Sequence, residues 1–177
     1  MMIKTLSFLL FLAHLINSSS FSATSPSIPT PQILESFRIK SKLNQSAGNN
    51  CAYTVIIKTS CSSPSYTRDK VSLAFGDLYG NEVYAARLDD PRSRTFERCS
   101  TDTFQMNGQC TYDICYQYLL RTGRDGWKPE SVLITGPNRR PTTFYYNAFL
   151  PNGVWFGFNQ CRGRGGPTVS TEDSAVM

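Results

Sequence analysis

The sequence is almost without histidine. Its one histidine, His14, lies in the apolar stretch Leu6–Ile16 near the N-terminus. Catalytic Ser–His–Asp and Cys–His arrangements and histidine-ligated zinc or copper sites all need an imidazole side chain. A glycosidase-type mechanism would instead need two carboxylates, and Asp89-Asp90 is the only adjacent acidic pair between residues 51 and 161. That pair lies in a charged loop, so the sequence predicts a protein without catalytic activity.

Long apolar runs are also missing. The stretch Leu6–Ile16 has 11 residues, whereas a transmembrane helix needs about 20. A basic residue precedes this stretch, and Ser20 and Ser22 occupy the −3 and −1 positions of a cleavage site before Ala23. This arrangement is typical of a secretory signal peptide. We expect residues 1–22 to be removed on export, which leaves a soluble, extracellular, monomeric protein without a transmembrane segment or a histidine.

The chain has only a small excess of positive charge. The chain has 18 Lys and Arg against 13 Asp and Glu, a formal net charge of +5. A charge this small gives no basic patch of the kind that nucleic-acid binding needs. The partner classes that remain are a lipid surface, an extracellular protein or a carbohydrate.

What the sequence does have is cysteine. The six are Cys51, Cys61, Cys99, Cys110, Cys115 and Cys161. An even number in a secreted chain indicates disulfides. No two of them have the C-x-x-C spacing of a zinc site. Spacing alone leaves the pairing open.

Between the first and last cysteine the pattern is that of β-strands. Residues 53–58 (YTVIIK) and 112–118 (YDICYQY) place β-branched, aromatic or apolar side chains at alternate positions. Turn signals such as Asn107-Gly108 and Pro151-Asn152-Gly153 separate about eight short runs of this kind. No segment has a helical apolar stripe. The sequence therefore predicts an all-β fold, an antiparallel β-sandwich over residues 51–161 that disulfides staple together.

The flanking segments have a different composition. Residues 23–50 are rich in Ser, Pro and Asn and are predicted to be a linker. Asn44 begins the one N-glycosylation triplet after the signal peptide. The tail, residues 162–177, is predicted to be disordered.

Aromatic residues crowd the last part of the predicted domain. Consecutive pairs such as Tyr145-Tyr146 and Trp155-Phe156 must place one member of each pair outside the core. We take Trp155 and Tyr145 as candidate binding residues, together with the nearby cations Arg139 and Arg140. Aromatics at loop tips beside cations would favour a lipid surface or an acidic partner, whereas two planar aromatics on one sheet face would favour a carbohydrate.

The order of features resembles a known domain, the PLAT domain of lipoxygenases and pancreatic lipases. The features are a Tyr-x-Val-x-Ile first strand, Asp69 before the second strand, Phe96-Glu97-Arg98, Asp102-x-Phe104 and Asp125-Gly126-Trp127. The chain looks more closely like the plant embryo-specific, seed-expressed secreted proteins that consist of one PLAT-like domain. Three stretches carry that likeness: Tyr53–Cys61, Asp125–Glu130 and Phe144–Trp155.

The resemblance implies a two-sheet sandwich without catalytic activity that binds lipid or protein partners, with a role in seed or embryo development. It also implies a Cys61–Cys99 disulfide, with Cys51 and Cys161 paired to each other or to the remaining two cysteines.

Some PLAT domains bind calcium through oxygen ligands in loops at one end. The matching aspartate here is Asp69, and Asp77 and Asn81 would join it only if their two loops converge. Arg68 and Lys70 flank Asp69 and oppose a bound cation. Calcium is thus the one candidate cofactor, and the alternative is that Asp69 caps a turn.

Overall fold

The computed structural model describes residues 29–34, 50–88, 93–137 and 140–162. The predicted signal peptide, Asn44, Asp89-Asp90, Arg139 and nearly all of the predicted tail lie outside the described residues.

Nine strands are present in the described part of the chain, which contains no helix. They are β1 (Gln32–Leu34), β2 (Asn50–Thr59), β3 (Lys70–Asp77), β4 (Glu82–Ala85), β5 (Thr101–Gln109), β6 (Ile114–Thr122), β7 (Pro129–Thr135), β8 (Thr142–Tyr145) and β9 (Trp155–Asn159). One sheet has five strands in the order β1-β9-β6-β3-β4, and the other has four in the order β5-β2-β7-β8. Every strand pairing is antiparallel. The predicted fold class, a disulfide-stapled antiparallel β-sandwich, is therefore confirmed.

The main core lies between the two sheets, where alternate residues of each strand point inward. In β2 these are Tyr53, Val55 and Ile57, the face that the alternation in the sequence predicts. Trp127 is fully buried, with its ring centroid 4.7 Å from that of Phe96. Burial of this apolar surface is the dominant stabilising term.

A second, smaller cluster lies on the other face of the five-stranded sheet. Ala74, Tyr118 and Trp155 are buried there, with Leu34 packed against them. Trp155 points away from the main core, because it precedes Phe156 in the same strand and consecutive strand residues point to opposite faces. Leu34 of β1 is its direct partner in the ladder, however, and the indole is only 9% exposed. Little of Trp155 is therefore accessible to a ligand, and its role as a binding residue stays a prediction.

The cover over Trp155 comes from the segment predicted to be a linker. Residues 32–34 form β1 and pair with β9, and Asn50 already belongs to β2. The sandwich therefore begins before Cys51. A strand of three residues gives no periodic signal in a Ser- and Pro-rich sequence, and so the alternation did not reveal it.

All six cysteines form disulfides: Cys51–Cys110, Cys61–Cys99 and Cys115–Cys161. The Cys61–Cys99 pair is the one that the resemblance implied. Two of the bonds lie at opposite ends of the β2/β5 pair, and the third joins Cys115 of β6 to Cys161, two residues after the end of the neighbouring strand β9. Each disulfide therefore connects chain segments at neighbouring strands of the same sheet.

Candidate functional site

Three loops meet at one end of the sandwich, which we call the loop end: residues 60–69, 123–128 and 146–154. Backbone hydrogen bonds join them, since Ser60 N–H donates to Lys128 C=O (3.0 Å) and Leu150 N–H donates to Trp127 C=O (3.0 Å). The loop end is where PLAT-type sites were expected, because Asp69 comes directly before β3.

Asp69 is buried at the centre of the loop end. Its carboxylate accepts hydrogen bonds from the backbone N–H groups of Asp125 and Gly126, each at 3.1 Å. It also forms an ion pair with the guanidinium of Arg121, which β6 contributes. Both side chains are more than 90% buried. Asp69 therefore fixes the turn at residues 123–126, and its negative charge is balanced by the positive charge of Arg121.

Arg121 extends this network to the third loop. Its Nε–H donates to the carbonyl oxygen of Leu150 (3.1 Å), and Nη1–H donates to that of Gly123 (3.3 Å). The Asn152 side chain in turn accepts a hydrogen bond from Gly123 N–H (3.0 Å). One guanidinium thus ties together the segments around Asp69, Gly123 and Leu150.

The electrostatics of Asp69 follow from these contacts. Burial alone raises the pKa of a carboxyl group, but the hydrogen bonds from Asp125, Arg121 and Gly126 and the charge of Arg121 outweigh it. The net result is a pKa below the usual value of 3.8. Asp69 is ionised at neutral pH.

Glycine allows the close approach of the loop to this carboxylate. A Cβ atom at position 123 would collide with the carboxyl group of Asp69, and Gly126 has a φ of +78°, which favours glycine. Residues 121–126 have the sequence R-T-G-R-D-G. Its two glycines were the available signal that the loop closes around Asp69.

The three candidate calcium ligands do not come together. Asp69 precedes β3 and Asp77 ends it, and a strand of this length places the two about 25 Å apart. Asp77 accepts hydrogen bonds from Tyr79 N–H, Asn81 N–H, the Asn81 amide group and Tyr112 N–H, so it organises the turn at the opposite end. Among the described residues, no three His, Cys, Asp or Glu side chains form a metal-sized group. The alternative interpretation, in which Asp69 holds a turn, fits its contacts.

Two exposed aromatic side chains lie at the loop end, each beside a cation. Tyr66 is 52% exposed and Phe149 is 56% exposed. The Arg68 guanidinium lies 5.0 Å from the Tyr66 ring centroid, and Lys128 Nζ lies 5.9 Å from that of Phe149. These are cation–π distances. Both pairs were missed in the sequence, because exposure of a loop residue depends on how its loop folds.

The other predicted binding residues lie elsewhere. Tyr145, at the end of β8, is exposed on the outer face of the four-stranded sheet. Arg140 is exposed between β7 and β8, at the end opposite the loop end. The structure therefore does not bring Tyr145, Arg140 and Trp155 together.

The fold and the loop end can be compared with known proteins. Residues 38–161 match the family model of embryo-specific protein 3 (ATS3). This chain belongs to the ATS3 family. It is 56% identical to embryo-specific protein ATS3A of Arabidopsis thaliana over 95% of this chain and 96% of that protein. It is 55% identical to embryo-specific protein ATS3B of the same plant over 83% and 73% of the two chains.

Solved structures show that the ATS3 fold is that of the lipoxygenase PLAT domain. A lipoxygenase variant with the change Delta413-417:GS aligns with a TM-score of 0.52 and 19% identity. The alpha toxin of Clostridium absonum aligns with a TM-score of 0.51, also at 19% identity. The alignments cover 62% and 65% of the ATS3 chain but only 16% and 33% of the two larger proteins. In the described part of the ATS3 chain, no helix has the length and apolarity to cross a membrane.

Proposed function

We propose that this chain is a secreted, non-catalytic binding module that attaches to an anionic lipid surface through its loop end and acts in the plant embryo or seed. The predicted signal peptide and three disulfides support export, because such bonds persist in oxidising compartments. The names of the relatives, which are embryo-specific proteins, support a role in the embryo or seed.

One observation carries the choice of a lipid surface, namely the Tyr66/Arg68 and Phe149/Lys128 pairs. An exposed aromatic ring can enter the interface between headgroups and acyl chains, while the cation beside it contacts a phosphate or carboxylate headgroup. Each basic residue near an anionic membrane contributes about 1 kcal/mol. Both pairs lie at the same end, where they can contact one surface together.

A carbohydrate ligand has less support. It would need two exposed aromatics on one sheet face, and on the described strands of the four-stranded sheet Tyr145 is the one large exposed aromatic. An extracellular protein partner remains the outcome if lipid binding fails.

Vesicle sedimentation tests the proposal. We expect the mature protein to bind vesicles of phosphatidylcholine with phosphatidylserine and to bind pure phosphatidylcholine vesicles weakly. Phe149→Ala should weaken binding about tenfold through lost apolar insertion, and Lys128→Gln about fivefold through the lost charge.

Matched controls are available at the opposite end. Tyr79 is exposed there, and so is Arg140. Tyr79→Ala and Arg140→Gln remove the same kinds of group and should leave binding unchanged. If the protein stays in solution with both vesicle types, or the control variants weaken binding as much, the lipid proposal is wrong.

A further inference from the structure

We propose that Arg121 is a resident cation that replaces a bound metal at the loop end, so that this end is assembled and functional without calcium. The part that concerns membrane attachment rests on the function proposed above. The part that concerns assembly rests on the contacts of Arg121 alone.

The fold makes calcium the relevant comparison. Coral 8R-lipoxygenase aligns with this chain at a TM-score of 0.50 and 20% identity, over 60% of this chain and 17% of that one, and its structure is described in terms of calcium activation through a C2-like domain. A calcium ion takes six to eight oxygen ligands, carboxylates and backbone carbonyls among them. A loop end of this fold can therefore be expected to offer several oxygens to one cation.

In this chain the oxygens are offered to a guanidinium instead. The Asp69 carboxylate and the carbonyl groups of Leu150 and Gly123 all accept hydrogen bonds from Arg121. The two carboxylate oxygens of Asp69 also accept hydrogen bonds from the N–H groups of Asp125 and Gly126. These residues do not fit calcium, because the ion would meet a positive charge where its ligands converge.

Displacement of the Arg121 guanidinium would not make room for a calcium ion at acceptable cost. The Arg121 side chain is only 8% exposed, and without Asp69 it would be a buried charge with no counter-charge. Arg68 and Lys70 flank Asp69 in the sequence and add two positive charges, against the one carboxylate of Asp125, which accepts a hydrogen bond from Arg68 N–H. The loop end is therefore closed to a divalent cation by both occupancy and charge.

The same contacts explain what Arg121 does for the surface above it. Its bonds hold the loop of Leu150, next to Phe149, and the loop of residues 123–128, which ends at Lys128. A positioning residue of this kind keeps an exposed aromatic and its cation in reach of the same surface. No metal bridge to the headgroups is needed, since Lys128 and Arg68 can contact the anionic groups themselves.

Calcium titration of the mature wild-type protein, without vesicles, is the first test. We expect no binding heat in calorimetry and the same melting temperature in millimolar calcium chloride and in EDTA. A binding heat together with a raised melting temperature would overturn the proposal, whatever the vesicles show.

Variants of Arg121 are the second test. In Arg121→Gln we expect the amide hydrogens of Asp125 and Gly126 to exchange at least tenfold faster than in wild type, because the carboxylate they bond loses its partner. Arg121→Lys keeps the charge and should restore part of the protection. Arg124→Gln, in the same turn, is the matched control, and its amide hydrogens should exchange at the wild-type rate. If the amide hydrogens of Asp125 and Gly126 also exchange at the wild-type rate in Arg121→Gln, the proposed role of Arg121 is refuted. If Arg121→Gln does not fold, the wild-type titration still decides.

Vesicle sedimentation in EDTA then separates the two proposals. Equal binding in calcium and in EDTA supports both. No binding in either buffer, without a calcium heat, refutes the lipid function and leaves Arg121 as the resident cation. Binding that EDTA abolishes refutes the resident cation and leaves the lipid function in place.

Discussion

At the scale of single residues, the Asp69–Arg121 pair is the charged feature on which the loop end depends. Two buried charges are stable only when they are paired and their remaining hydrogen-bonding positions are filled. Besides the ion pair, Asp69 accepts hydrogen bonds from two backbone N–H groups, and Arg121 donates to two carbonyl groups. Either side chain without the other would be an uncompensated buried charge and would lower the stability of the fold.

This pair predicts a specific acid sensitivity. The folded-state pKa of Asp69 lies below its unfolded value near 3.8, so its stabilising contribution is complete well above that pH and is lost as the pH falls through 3.8 toward the lower folded-state pKa. Asp69→Asn should lose about 3–5 kcal/mol of unfolding free energy at neutral pH. It should also lose less than wild type on further acidification, in urea denaturation followed at several pH values.

Asp113→Asn provides the comparison for this experiment, since Asp113 is exposed near the opposite end. It should leave the unfolding free energy nearly unchanged at neutral pH. An Asp69→Asn protein with wild-type stability at neutral pH would contradict the assigned role of the ion pair.

The sequence revealed one half of this pair and not the other. Asp69 stood out because it matches a position in the PLAT resemblance. Arg121 lies 52 residues later and was only one of several basic residues near turns. Which cation meets a given carboxylate depends on strand pairing, and local sequence does not contain that information.

At the scale of elements, β1 shows how a short edge strand can complete a fold. It contributes three residues, pairs with β9 and covers Trp155 through Leu34. The neighbouring Ile33 points the other way and is exposed, as the alternation of a strand requires.

Leu34 and Ile33 therefore form a matched test of β1. Leu34→Ala should lower the unfolding free energy by about 1–2 kcal/mol, at or below the low end for a buried leucine because the site is only partly buried. Ile33→Ala should change it by less than about 0.5 kcal/mol. Urea denaturation followed by tryptophan fluorescence measures both, and equal losses would show that β1 does not cover the indole.

Sequence patterns predicted some elements better than others. The inward face of β2 followed from the alternation of its side chains. β1 was missed because its pairing with β9 comes from the tertiary fold, and a Ser- and Pro-rich context favours a linker.

At the scale of the whole molecule, fold class was the most predictable property and function the least. Short alternating runs, turn signals and six cysteines leave few architectures other than a stapled sandwich. The sheet order β5-β2-β7-β8 was not predictable, because each sheet combines strands that are distant in sequence. The binding surface depends in turn on which loops those pairings bring together.

The three disulfides also determine how the molecule is connected once its non-covalent structure is ignored. Cys51–Cys110 closes one covalent ring, with Cys61–Cys99 as a bond across it, and Cys115–Cys161 closes a second ring. Only Thr111–Ile114 link the two rings. Each sheet takes strands from both rings, β3 and β6 in one and β2 and β7 in the other.

A single cut therefore has opposite consequences in different places. Cleavage within a ring, for example by trypsin after Arg124, should release no fragment containing a ring strand on a denaturing gel until a reductant is added. Cleavage at a protease site introduced at Tyr112-Asp113, where both residues are exposed, should give two pieces on the same gel without reductant. In native buffer those pieces should stay together, because each sheet contains strands from both rings and separation would break the strand pairing in both sheets.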